Sequence, residues 1–118
     1  MSHRLDYDAV LNIRDDVALE KLEGVVEEKV GEYFNEWFID HKNRTLTFNG
    51  IAVATDVMGF VKEFLDALCT IAPYICDEED TYVMDWDAGW PTGWRLVFKD
   101  GNVKCYEGMM VFIDEVEL

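Results

Sequence analysis

The sequence predicts an α+β domain, an antiparallel sheet of about five to seven strands with two helices packed on one face. Three observations carry this. Segments with period-two alternation lie at both ends of the chain. Two segments with apolar residues three and four apart lie between them. Asn-Gly and Asp-Gly pairs mark tight turns. No linker, repeat or low-complexity tract interrupts the 118 residues, so 1–118 reads as a single domain.

From His3 to Ile13 the alternate positions are His3, Leu5, Tyr7, Ala9, Leu11 and Ile13, the pattern of a half-buried strand; a short helix over Tyr7–Asn12 is the rival reading. The period then changes. Leu19, Leu22, Val26, Val30, Tyr33 and Trp37 recur at helical spacing, which predicts an amphipathic helix from about Asp16 to Ile39, capped by Asp15 or Asp16. Gly24 and Gly31 weaken it by about 1 kcal/mol each relative to Ala. Thr45–Phe48 and Ile51–Ala54 flank Asn49-Gly50, which predicts a two-residue hairpin. Thr55 or Asp56 then caps a second helix with Val57, Phe60, Val61, Phe64, Leu65 and Leu68 inward, ending before Pro73. Thr81–Trp86 reads as a strand, Trp94–Lys99 and Asn102–Tyr106 as a hairpin about Asp100-Gly101, and Met109–Val116 as a closing strand. The sheet's opposite face is expected to be acidic and polar and to stay in water.

Half of the chain is hydrophobic and 14% aromatic, enough for a core and unlike a disordered acidic tail. The 25 acids against 10 Lys and Arg give a formal charge of −15, whereas a small soluble domain carries a magnitude of about 2–8. This excess opposes direct binding to nucleic acid or to anionic membranes. It favours a cationic protein surface and steers the encounter with one. A halophilic or simply very soluble protein is the plainer alternative. Cys69, Cys76 and Cys105 form no CxxC, which suits a reducing compartment. With no apolar signal-like stretch at the N-terminus and no span-length apolar run, a cytoplasmic location is expected.

Catalytic patterns are weak. Ser2 is the one serine, and His3 and His41 have no nucleophile placed beside them by spacing. Cys69 lies on the inner side of the second helix and reads as core. The thiols are too scattered for zinc. Asp85-Trp86-Asp87 starts like a calcium loop, but Gly89, Trp90 and Leu96 stand where that loop needs a ligand, a glycine and a glutamate. An incidental cation site within Asp77–Asp87 is the most that this region offers. There is no phosphate-binding loop, and carboxylate pairs arise by chance in so acidic a chain. The expectation is therefore no catalytic residue, metal or cofactor.

Two acidic constellations remain. On the first helix Asp16, Glu20, Glu23 and Glu27 form one flank, and Glu28, Glu32 and Glu36 form a second row, rising about 6 Å per step. Such rows either display charge along a rod or make a solvated helix face. The second constellation is Asp77, Glu78, Glu79, Asp80, Asp85 and Asp87 among Tyr82, Trp86, Trp90 and Trp94. Aromatics beside carboxylates suit an interface accepting Arg and Lys; alternatively the tryptophans are core and the acids keep a loop soluble. Both constellations fit a protein that imitates DNA charge and occupies a basic DNA-binding protein. They also fit an immunity protein or inhibitor that plugs a basic nuclease toxin.

In size, acidity and α+β order the chain resembles the bacterial DNA-mimic proteins, and is most similar to the small kind that binds the histone-like nucleoid protein HU. The resemblance covers the whole chain without a diagnostic motif. It implies a non-enzymatic, monomeric, cytoplasmic protein that keeps HU-like partners off DNA.

Overall fold

The computed structural model describes residues 1–90 and 92–109. The expected closing strand over Met109–Val116 lies, beyond its first residue, outside them. Among the described residues the architecture is α+β, with one antiparallel six-stranded sheet and two α-helices. In chain order the elements are β1 His3–Asn12, α1 Leu19–Val25, β2 Glu36–Asp40, β3 Thr45–Ala54, α2 Val57–Cys69, β4 Asp80–Asp85, β5 Thr92–Lys99 and β6 Asn102–Met109. The spatial order is β2-β3-β1-β4-β5-β6. β1 therefore lies inside the sheet, paired with β3 along its whole length and with β4 over Leu5–Asp8.

Period-two alternation sorts the two faces. Leu5, Tyr7 and Leu11 of β1, Leu46 and Phe48 of β3, Val83 of β4 and Trp94, Leu96 and Phe98 of β5 are buried on the inner face. The helices close that face through Leu19 and Leu22 of α1 and Val61, Phe64 and Leu68 of α2. Phe34 stacks on Phe48 with ring centroids 4.2 Å apart, and Tyr7 lies 4.6 Å from Phe64. α2 starts as its sequence dictates, since the Asp56 carboxylate accepts from Gly59 N–H at 2.9 Å. Asp100 and Gly101 take positive φ, 54° and 74°, as the β5–β6 turn requires.

Two expectations are corrected. The first helix does not run from Asp16 to Ile39. It begins at Leu19 with Ala18 in the cap position and no side-chain cap, widens into a π-helical turn at Val26–Val30 and tightens into a 3-10 turn at Gly31–Tyr33. Phe34 is extended, and Glu36–Asp40 pairs with Asn49–Thr45 as β2. The buried residues up to Val30 obey the helical period. Beyond it, β-prone Trp37, Phe38 and Ile39 gain a sheet partner, so tertiary pairing overrides the apparent period.

The second correction concerns Asn49-Gly50, which is not a turn but lies mid-strand in β3. The hairpin of this region is β2–β3, turned at 41–44. There the Asp40 carboxylate accepts from the backbone N–H groups of Lys42 and Asn43 and from the Asn43 side chain, and Arg44 takes φ 52°. These bonds, those from Asn43 foremost, hold the Asp40 carboxyl below its usual range. Gly50 serves a different purpose. It faces Tyr7 across the ladder, and a Cβ there would come within 2.2 Å of the Tyr7 ring and 2.7 Å of the Tyr33 carbonyl oxygen.

The ring therefore lies across Gly50, and its hydroxyl donates to the Tyr33 carbonyl. Burial, with the Tyr33 hydroxyl second, pushes the Tyr7 phenol up from 10.0 to about 12. The unfolded chain then loses this proton first, so the native state holds more protons between those two values. Stability on this account is fully present below pH 10 and falls through the window up to about 12, by an amount on the order of 2–3 kcal/mol. Urea denaturation of the wild type and of Tyr7→Phe across this range should show the loss in the wild type and a flatter profile in the variant. Gly50→Ala should cost about 1–3 kcal/mol through overpacking against Tyr7, read in the same assay; a cost below about 0.5 kcal/mol would place the ring elsewhere.

Candidate partner-binding surface

The two acidic constellations separate in the structure by what their carboxylates touch. In the Asp77–Asp87 region nearly every acid holds part of the fold. Asp77 receives Arg14 Nη2 at 2.9 Å and Asp100 N–H at 3.0 Å. Glu78, at φ 69°, pairs with Lys99 Nζ at 2.7 Å. Glu79 accepts from Asn12 N–H at 2.6 Å and from the Asn12 amide at 3.0 Å. Asp80 meets Arg95 Nε at 2.7 Å. The Glu78–Lys99 and Glu79–Asn12 bonds continue the β4–β5 and β1–β4 seams past the ends of their ladders, and Asp80–Arg95 crosses the β4–β5 ladder diagonally; Asp80 and Glu78 hold Arg95 and Lys99 protonated above their ordinary ranges.

Asp85 is buried, 3% exposed, and its two oxygens lie 3.0 and 2.8 Å from His3 Nδ1. It also accepts from Asp87 N–H, while Asp87 accepts from Arg4 N–H at 2.7 Å. The His3–Asp85 pair clasps the start of β1 to the end of β4. Sequence spacing could not reveal it, because the partners are 82 residues apart. Trp94 is core, whereas Tyr82, Trp86 and Trp90 are exposed.

The helical layer is different. Asp16 precedes α1; Glu20 and Glu23 lie on α1, Glu27 and Glu28 on the π-helical turn, and Glu32 on the 3-10 turn, all exposed. Their internal contacts are long or local, Glu23 to His41 Nε2 at 3.7 Å and Glu28 to its neighbour Lys29 at 3.8 Å. The row Glu28, Glu32, Glu36 is not formed, since Glu36 lies on β2 and faces the open side of the sheet beside Asn49. Two acids outside the expected rows extend this surface, Glu63 and Asp66 of exposed α2 positions. Tyr33 reports their proximity. Partial burial raises its phenol above the usual range, and the charges of Glu32, Glu63 and Asp66 add to the shift.

A concavity of about 410 Å³ lies here, lined by Glu32, Tyr33, Asn35, Ala52, Phe60 and Glu63 among others. Carboxylates over aromatic rings suit a cationic side chain. Helical periodicity on α2 could have indicated Glu63 and Asp66; Asn35 and Ala52 reach the site through strand pairing that the sequence pattern did not reveal.

A second surface is the open face of the sheet, where Val10, Phe38, Ile51, Val53, Tyr82, Trp86 and Tyr106 are exposed. A shallow concavity of about 400 Å³ at its centre is lined by Arg4, Asp6, Asp8, Ile51, Tyr82, Met84 and Trp86. Among the described residues no group of three or more Asp, Glu, His or Cys side chains converges as a metal site, and no helix is long and apolar enough to cross a membrane. No protein-family model, curated protein or solved structure matches the chain.

The division between tying and unengaged acids is measurable. Glu79→Ala should cost about 1–3 kcal/mol, because it removes charge-assisted bonds to Asn12. Glu20→Ala and Glu27→Ala should each stay within about 0.5 kcal/mol. Equal costs for all three in urea denaturation would contradict the division.

Proposed function

We propose that this chain is a non-enzymatic acidic protein that binds a basic DNA-binding protein, of the HU kind, and competes with DNA for it. One observation carries the reading. The carboxylates from Asp16 to Glu32, with Glu63 and Asp66, stand exposed on the helical layer with little internal pairing, while those of the Asp77–Asp87 region are engaged in the fold. Like charges side by side on helical turns oppose folding by a few tenths of a kcal/mol per pair. A cationic partner offsets that repulsion and gains steering at encounter. The direct partner is protein and not nucleic acid, because phosphate would be repelled by the same surface. A cytoplasmic monomer fits this role.

The acids do not form one regular rod, since the helical path ends at Tyr33. The concavity between Glu32 and Glu63, with Tyr33 and Phe60 as aromatic walls, favours a second reading. An inhibitor of a basic nuclease toxin would place an anchor residue of the toxin there.

Titration of the protein into a preformed HU–DNA complex tests the first reading. DNA release is expected at low salt, weakening as the Debye length falls to about 8 Å near physiological ionic strength. Reversal of Glu20, Glu23, Glu27 and Glu28 to Lys should slow association by about tenfold or more, with a smaller effect on dissociation. DNA that stays bound at every concentration, together with inhibition of a nuclease toxin, would replace the first reading by the second.

A further inference from the structure

β3 is twice as long as its outer neighbour. β2 covers Thr45–Asn49, and among the described residues no strand pairs with the outer edge of Gly50–Ala54. Asn35 marks the point where pairing stops. Its N–H donates to the Asn49 carbonyl at 2.8 Å, and its side-chain oxygen accepts from Ile51 N–H at 2.7 Å. Odd-numbered residues of β3 therefore direct their backbone groups away from β1. By the alternation of an antiparallel strand, the Ile51 carbonyl and both backbone groups of Val53 face the uncovered edge.

Edges of this kind are usually blunted by Lys, Pro, a bulge or a covering loop. This one reads Ile51-Ala52-Val53-Ala54, in unbroken register with β1, with Ile51 54% and Val53 72% exposed. The inward-facing residues there, Ala52 and Ala54, are small. The space beside Ala52 is the concavity walled by Tyr33, Phe60, Glu32 and Glu63.

Resting on the acidic-docking reading above, we propose that a basic, extended segment of the partner protein adds as a strand to Ile51–Ala54, in line with β2. One Arg or Lys side chain would enter the concavity between Glu32 and Glu63. Main-chain bonds to Ile51 and Val53 supply affinity, and the alternate side chains supply selection. The inward side chain meets carboxylates and rings; the outward ones lie beside Ile51 and Val53 on the open face. About four residues of added strand span the edge at roughly 3.3 Å each. Charge selects a basic segment over a second copy of this chain, whose own net charge is −15.

Amide hydrogen exchange of the whole protein with a capped Arg-Val-Arg-Val-Arg-Val peptide tests this. Saturating peptide at low salt should slow exchange at Val53 N–H. Ile51 N–H, already bonded to Asn35, should change little and serves as an internal reference. Val53→Pro, which removes a donor that β1 does not use, should weaken binding by about tenfold or more. Glu32→Gln with Glu63→Gln should weaken it and flatten its salt dependence. Should Val53→Pro fail to fold, exchange in the wild type decides alone. A bound peptide that leaves Val53 exchange unchanged and perturbs only Glu20–Glu28 overturns strand addition and leaves acidic docking standing. A peptide that does not bind even at low salt overturns both.

Discussion

Tyr7 must lie across the strand beside it, and much of the remaining geometry follows from this. Its ring occupies the space above Gly50 and its hydroxyl holds the Tyr33 carbonyl. That bond fixes the 3-10 turn over the middle of the β1–β3 pair. Directly after it the chain leaves the helical path through extended Phe34 and enters the sheet at Glu36, where β-prone Trp37, Phe38 and Ile39 gain a partner. β2 is short and reaches no further along β3 than Asn49. The uncovered edge and the concavity beside it, with Tyr33, Phe60 and the two flanking glutamates, lie next to this one contact of a tyrosine ring with a glycine.

Elements with local causes were legible in the sequence. β1 showed its alternation because one face is buried and the other is not. α2 carried both a periodic stripe and a capping aspartate, and Asp100-Gly101 sits where two strands meet directly. The failures share a cause as well. Asn49-Gly50 carries a strong local turn preference, but Gly50 was needed for its lack of a side chain opposite Tyr7, a residue 43 positions earlier. Leu19 to Val30 is a true helical stripe, and Tyr33 and Trp37 extend its spacing by coincidence, since Trp37 is inward on a strand opposite Phe48. Local pattern could not distinguish the two.

The acidic surface was legible as charge but not as roles. Asp77–Asp80 looked like the denser patch because its four acids are contiguous. Their partners, Arg14, Arg95, Lys99 and Asn12, are distant in sequence, and only the folded chain shows that they draw these acids into tying contacts. The acids of the first helical segment are spread over three kinds of helical turn, and there the cations are few. Lys29 is a neighbour of Glu28, and His41 is at the limit of an ion pair with Glu23.

That partition bears on how a domain of net charge −15 stays folded and what it gains from the charge. Carboxylates with cationic or N–H partners at 2.6–3.0 Å stitch the β1, β4 and β5 termini together. They tie the fold at its seams, and Asp77, Glu78 and Asp80 each share their charge with a cation of the same chain. The acids of α1 and the turns after it repel one another without such relief, and they border an unblunted strand edge and an aromatic-walled concavity. Surface charge alone steers an encounter but fixes no register, whereas a strand edge fixes register but selects weakly among extended chains. Their juxtaposition at Glu32, Tyr33, Asn35 and Ile51 supplies both. A basic segment can be drawn in by the helical acids and then held at one alignment by the Val53 backbone. The open face of the sheet, apolar but carrying Arg4 and Arg95 already paired with Asp6 and Asp80, offers neither comparable field nor an unpaired backbone at its centre.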